Sequence, residues 1–184
     1  MNVLRYLSGE NPTSVLSATP TVYIPPGSPP SFESKVDRAM TATLAFPNDI
    51  TGTIVTDLDL PLTLGFIPKI PWASVEVECE GGIIQVTNFV LPTLYHSVKI
   101  IKKSGKKKKE SRSETIYTFA DAKLEGKGEA WWLTHRYQLE AFVDKLRGRK
   151  PQTWVEKEDT ITNMEWIEKV YEKVSCDCAL FRVQ

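Results

Sequence analysis

The residues with the most chemical potential lie between Trp131 and Tyr137. Trp131 and Trp132 are followed by His135, Arg136 and Tyr137. On a helix, Trp132, His135 and Arg136 share one face, and Trp131 and His135 meet one turn apart. An aromatic wall carrying one imidazole and one guanidinium can bind and polarise a mostly apolar organic ligand bearing a carbonyl or carboxylate. A helix lying on a sheet produces the same pattern, with tryptophan in the core and His and Arg at its rim. Trp72, Tyr95, His96 and Tyr117 lie on or beside extended stretches and can line a substrate pocket over a sheet. Packing and interface burial draw on the same residue types.

Other candidates are weaker. Asp57 and Asp59 sit two apart on one strand face, where a like-charge pair can raise one pKa for acid–base work. With no His or Lys beside them in sequence, a solvated face accounts for them as well. Lys99, Lys102, Lys103, Lys106 to Lys109 and Arg112 crowd one stretch, but no aromatics are interleaved, so a solvated hairpin tip fits better than a nucleic-acid contact. Cys79, Cys176 and Cys178 form neither a disulfide framework nor a zinc ligand set, so no metal is expected. No Ser/His/Asp spacing or nucleophile elbow is present.

Composition narrows the class. The chain has 184 residues, 41% hydrophobic and 25% charged, with a formal net charge of zero. That suits about one globular domain, with no global electrostatic pull toward nucleic acid or a membrane surface. No apolar run approaches the ~20 residues that span a bilayer. The start, Met1-Asn2-Val3-Leu4-Arg5, lacks the layout of a signal peptide, and Asn11-Pro12-Thr13 is no glycosylation sequon. A reducing, cytoplasmic setting fits best.

The elements that must position these residues are read from periodicity. Met40, Ala42, Leu44 and Phe46 alternate with Thr41, Thr43 and Ala45 up to Pro47-Asn48-Asp49, and Ile54, Thr56, Leu58 and Leu60 alternate with Thr53, Val55, Asp57 and Asp59. This predicts a hairpin from Ala39 to Leu60 with one buried face, the face that two C-terminal helices can cover. Met1 to Ser8 reads as the tail of a helix stopped by Gly9, and Ser14 to Ile24 as extended. Pro25 to Pro30 is a stiff loop, and Pro61 to Pro71 an irregular one. Val75, Val77 and Cys79 face inward against Glu76, Glu78 and Glu80, with Gly81-Gly82 as a two-residue turn into Ile83 to Val90. Tyr95 to Lys103 and Glu114 to Phe119 make another hairpin with the lysines at its tip.

The period then changes. Glu129 to Arg147 reads as a helix with Leu133, Tyr137, Ala141, Leu139, Phe142, Val143 and Leu146 on its apolar side and Gly148 as its C-cap. A second helix starts at Asp159 as N-cap, with Met164, Ile167, Val170, Tyr171 and Val174 as its buried stripe. Ser175 to Gln184 reads as a loose tail. The expected fold class is α+β: an open, mostly antiparallel sheet of about six or seven strands with helices packed on one face.

Taken in order, these pieces resemble the C-terminal domain of the glucose–fructose oxidoreductase/inositol dehydrogenase (Gfo/Idh/MocA) family, closest to its dihydrodiol and xylose dehydrogenase branch. The resemblance rests on Asn2 to Gly9, Ala42 to Asn48, Val77 to Ile84, Tyr137 to Phe142 with Gly148-Arg149-Lys150-Pro151, and Asp159 to Glu165. It covers nearly everything from Met1 to Val174. It implies a substrate-shaping and subunit-pairing half of a two-part enzyme, hence a homodimer through the open sheet face. The other half of such enzymes carries a Gly-rich dinucleotide loop and a catalytic lysine in Glu-Lys-Pro. A catalytic Asp and a His or Tyr lie on the first helix of the substrate half. This sequence has no Gly-x-Gly-x-x-Gly and no Glu-Lys-Pro, and Met1 to Gly9 corresponds to the helix just past the acid–base pair. No catalytic residue carries over, and no cofactor is expected.

Three functions are therefore in view. The chain is a stand-alone relic whose pocket guides non-redox chemistry on a hydrophobic metabolite of secondary metabolism: isomerisation, dehydration or cyclisation, including a pericyclic step. Or it is the substrate and pairing half of an NAD(P)-dependent oxidoreductase. Or it is a non-catalytic partner subunit. The first is the favoured expectation.

Overall fold

The computed structural model describes residues 1–29, 32, 34, 36–59, 73–90, 95–103, 111–114, 132–151 and 154–181. The chain divides into two compact units, Met1–Lys69 with Val155–Gln184, and Ile70–Trp154. The class is α+β. The strands among the described residues form two antiparallel sheets, where the sequence predicts one.

In the first unit, α1 (Asn2–Ser8) leads into β1 (Ser14–Val22), β2 (Asp37–Ala45) and β3 (Thr51–Asp57), a meander with β2 in the centre. Alternation decides the buried face: Met40, Ala42, Leu44 and Phe46 are buried, and Leu44 is 0% exposed. The turn after Phe46 places Asn48 at φ 59° and Asp49 at φ 58°, left-handed values that Asn and Asp tolerate better than other side chains. The pairing Ala42↔Ile54 and Thr43↔Thr53 fixes the predicted hairpin's register.

The long helix α3 (Lys157–Phe181) lays Trp166 and Val170 onto Ala18 and the β2 residues, with Val174, Val15, Ile54, Met1 and Leu4 at the margin of the same cluster. Trp166 is 8% exposed, whereas Met164 and Tyr171, expected in the stripe, are 58% and 47% exposed. The helix starts at Lys157, two residues before the expected cap, so Asp159 lies in its first turn, favourably placed against the helix dipole. There it accepts from Arg5 Nη2 at 2.6 Å, tying α1 to α3. The helix also runs on through Cys176 to Phe181, where the fading apolar pattern predicts a tail. That stretch holds no Gly or Pro, so nothing in the backbone chemistry stops propagation.

The second unit is the meander β4 (Ser74–Cys79), β5 (Gly82–Thr87), β6 (Ser97–Lys102) and β7 (Ser111–Glu114), followed by α2 (Thr134–Leu146). Its turn is one residue earlier than expected. Cys79 pairs with Gly82, leaving Glu80-Gly81 as the loop, and Gly82 is a strand residue. A Cβ at Gly82 would run into the Ile101 carbonyl on β6, which explains glycine there better than turn geometry does. Val75 and Val77 are half-buried, but Cys79 is exposed. Strand β7 begins at Ser111, three residues before the expected start.

Helix α2 ends as predicted. Gly148 takes φ 69°, its N–H donates to Lys145 O, and the Arg149 N–H donates to Asp144 O at 2.8 Å, the pair of bonds of a Schellman cap. The helix starts later than Glu129, at Thr134, with Leu133 as an N-cap that offers no side-chain bond. Its expected apolar side is not a core: Leu133, Leu139, Phe142 and Leu146 are exposed, and α2 contains no buried residue. Helix α2 groups with the second unit; in the first unit, α3 packs on the buried face of the β2–β3 hairpin, with α1 residues at its margin.

Candidate functional site

Helix α2 brings together part of the predicted cluster. Trp132 and Leu133 precede the first turn, Leu133 in extended backbone, and Arg136 lies on that turn. The Arg136 guanidinium carbon sits 4.7 Å from the Trp132 ring centroid, a cation–π stack. Tyr137 approaches the same indole, with centroids 5.4 Å apart and planes tilted by 53°. One turn on, Glu140 Oε1 lies 2.7 Å from Arg136 Nη2. His135 is exposed. Glu140 is the member that sequence inspection misses; the signal was its i,i+4 spacing from Arg136.

Tyr95 and His96 lie just before β6. The Tyr95 side chain is exposed, while its carbonyl accepts from Asn88 Nδ2 at 2.6 Å. Asn88 is 9% exposed at φ 54°, and its backbone N–H donates to Ala73 O at 2.6 Å. This buried amide thus ties the start of β4 to the approach of β6. Its role there is architectural. Trp72, Tyr117 and Trp131 lie outside the described residues, as does the lysine tip at 104–110.

A second polar cluster sits in the first unit, at the β2 end near Asp37. The register slips between Thr21↔Ala39 and Val22↔Asp37, so Arg38 has no partner on β1. Such a bulge re-aims side chains. Arg38 Nη1 donates to Asp59 Oδ2 at 2.9 Å, and its Nε lies 3.5 Å from Asp57 Oδ1. Both aspartates therefore face one guanidinium supplied from the neighbouring strand. From α3, the Tyr171 hydroxyl donates to both oxygens of Asp37, at 3.2 and 3.1 Å. Burial raises the Tyr171 pKa above the ordinary phenol value, and the hydrogen bond and negative charge of Asp37 act in the same direction.

Among the described residues, no group of three or more His, Cys, Asp or Glu side chains is arranged to hold a metal ion. Nor is any helix among them long and apolar enough to cross a membrane.

No protein-family model matches the sequence, and no curated protein matches it. Among solved structures, the fold is similar to that of an aldose-aldose oxidoreductase from Caulobacter crescentus complexed with glycerol, with a TM-score of 0.58 at 18% identity. The likeness covers 94% of this chain and 42% of that one, so this chain spans less than half of the neighbour's length. That neighbour belongs to the Gfo/Idh/MocA family, which the sequence resembles. The likeness is one of fold.

Proposed function

We propose that this chain is a small-molecule-binding domain of Gfo/Idh/MocA descent that binds a hydrophobic metabolite and has no nicotinamide site of its own. Its chemistry is then non-redox: isomerisation, dehydration or cyclisation in secondary metabolism, driven by shape, orientation and a few polar contacts. Residues 1–174 carry this domain, and α3 continues past Val174 to Phe181. The observation that carries this reading is the extent of the fold likeness, nearly all of this chain against 42% of an oxidoreductase. The proposed ligand contacts are Trp132, His135 and Arg136 with Tyr95 and His96; Trp72, Tyr117 and Trp131 are further candidates from the sequence alone.

Pairing into a homodimer is part of the proposal. Val75, Val77, Ile84, Val86, Val98 and Ile100 line up across β4, β5 and β6 on one face, and each is only half-buried. Six branched aliphatic side chains left half-exposed on one sheet are a typical contact surface. The same 42% coverage favours a second reading, in which the chain is the substrate and pairing half of a dihydrodiol- or xylose-dehydrogenase-like oxidoreductase.

A thermal-shift screen of the chain with NAD(P)H and hydrophobic metabolites side by side separates the two. Stabilisation by metabolites but not by dinucleotide is expected. Stabilisation by dinucleotide alone overturns the first reading in favour of the second.

A further inference from the structure

We propose that Ser28 is a phosphorylation site for a proline-directed serine/threonine kinase, and that the phosphate dismantles the turn in which this hydroxyl sits. The site is independent of the small-molecule-binding role.

The loop between β1 and β2 carries Pro25-Pro26-Gly27-Ser28-Pro29. A serine followed by proline is the minimal target of a proline-directed kinase. The proline ring fixes its own φ and offers no N–H, and it biases the serine before it toward the extended backbone in which a kinase cleft takes a peptide. Pro26, two places before the serine, extends the match to Pro-x-Ser-Pro.

The fold leaves this segment reachable. Pro26, Gly27 and Pro29 are exposed, and a Cβ at Gly27 would meet nothing within 4 Å. Gly27 takes φ 82° after Pro26, the order of residues in a type II turn, and the Ser28 N–H donates to Pro25 O at 3.2 Å. Ser28 Oγ donates to the same carbonyl at 2.7 Å. Both bonds are local, so a kinase can extend the segment without unpairing β1 from β2. The other Ser/Thr–Pro pair of the sequence, Thr19-Pro20, supplies the contrast. It has Ser17 rather than proline two places before it, and it lies within β1, where Thr19 pairs with Thr41 and Pro20 with Met40. Extending Thr19 into a cleft requires β1 to leave its sheet.

In the transfer, Ser28 Oγ attacks the γ-phosphorus of MgATP. The new O–P bond forms as the bond to ADP breaks, and the hydroxyl proton passes to the kinase's base. The esterified Oγ then has no proton to donate to Pro25 O, and a charge of about −2 arrives beside that carbonyl. The phosphate oxygens also compete for the Ser28 N–H, the one remaining bond of the turn.

The test incubates the full chain with a mitogen-activated protein kinase and MgATP, locates the modification by tandem mass spectrometry and follows the turn by NMR. Phosphate is expected on Ser28 and not on Thr19, with loss of the amide–amide NOE between Gly27 and Ser28. Ser28→Ala and Pro29→Ala should each lose the incorporation, and Ser28→Thr should retain it. No phosphate on Ser28, undiminished incorporation in Pro29→Ala, or modification of Thr19 in its place overturns the site. Phosphorylated Ser28 with the turn NOE intact overturns the effect on the loop.

Discussion

At the residue scale, single side chains carry the first unit. Leu44 is sealed between the strands and α3, and Leu44→Ala should cost about 2–5 kcal/mol in urea unfolding, the range for a truncated core leucine. Tyr171 makes a different prediction. Its pKa is raised in the folded protein, so the unfolded chain releases the phenolic proton first as pH climbs past 10. The stabilisation is complete below pH 10 and is lost as pH rises through the folded pKa. Tyr171→Phe should therefore flatten the alkaline loss of stability relative to wild type, measured as midpoints between pH 8 and 11. Equal slopes for the two proteins would contradict that. Tyr171 also shows where periodicity misleads. Spacing assigns it to the apolar stripe, but an amphipathic phenol at the margin serves better by reaching Asp37, while Trp166, which the stripe omits, fills the core.

At the element scale, caps and close approaches decide the boundaries. Gly148 holds a left-handed conformation at the end of α2, so Gly148→Ala should lower stability by about 1 kcal/mol, read by thermal unfolding. Gly82→Ala should be worse, on the order of 1–3 kcal/mol, because the added methyl meets backbone of β6 rather than a side chain that can move. The β2–β3 hairpin was legible in the sequence because its alternation coincides with a real two-sided environment, helix on one face and exposed threonines such as Thr41 and Thr53 on the other. The β4–β5 turn was off by one because Gly81-Gly82 suits a hairpin loop as well as a strand, and only the neighbour across the sheet distinguishes them. Helix α2 was visible, but its apolar residues were assigned to a core that does not enclose them. Periodicity reports a face and not what covers it. Pairings between distant residues, Arg5 with Asp159 and Arg38 with Asp59, leave no local sequence signal at all.

At the scale of the whole molecule, the proposed function rests on a likeness of fold. It matches the fold of a portion of an oxidoreductase, and its sequence holds neither the glycine-rich phosphate loop nor the Glu-Lys-Pro motif that the family resemblance associates with hydride transfer. A nicotinamide is held against its substrate by a phosphate-binding helix end and a ribose contact, so hydride transfer by this chain alone is not part of the proposal. Within the candidate site, Trp132 and Arg136 are close in sequence and meet, but not through helical spacing: Trp132 precedes α2, and that start and the contact with Glu140 emerge only from the folded chain. The most direct test is a turnover assay of the purified chain with NAD(P)+ and a panel of sugars, dihydrodiols and alcohols, followed at 340 nm. No reduction of the dinucleotide is predicted with this chain alone. Steady NAD(P)H formation, with no other protein in the reaction, would contradict the account.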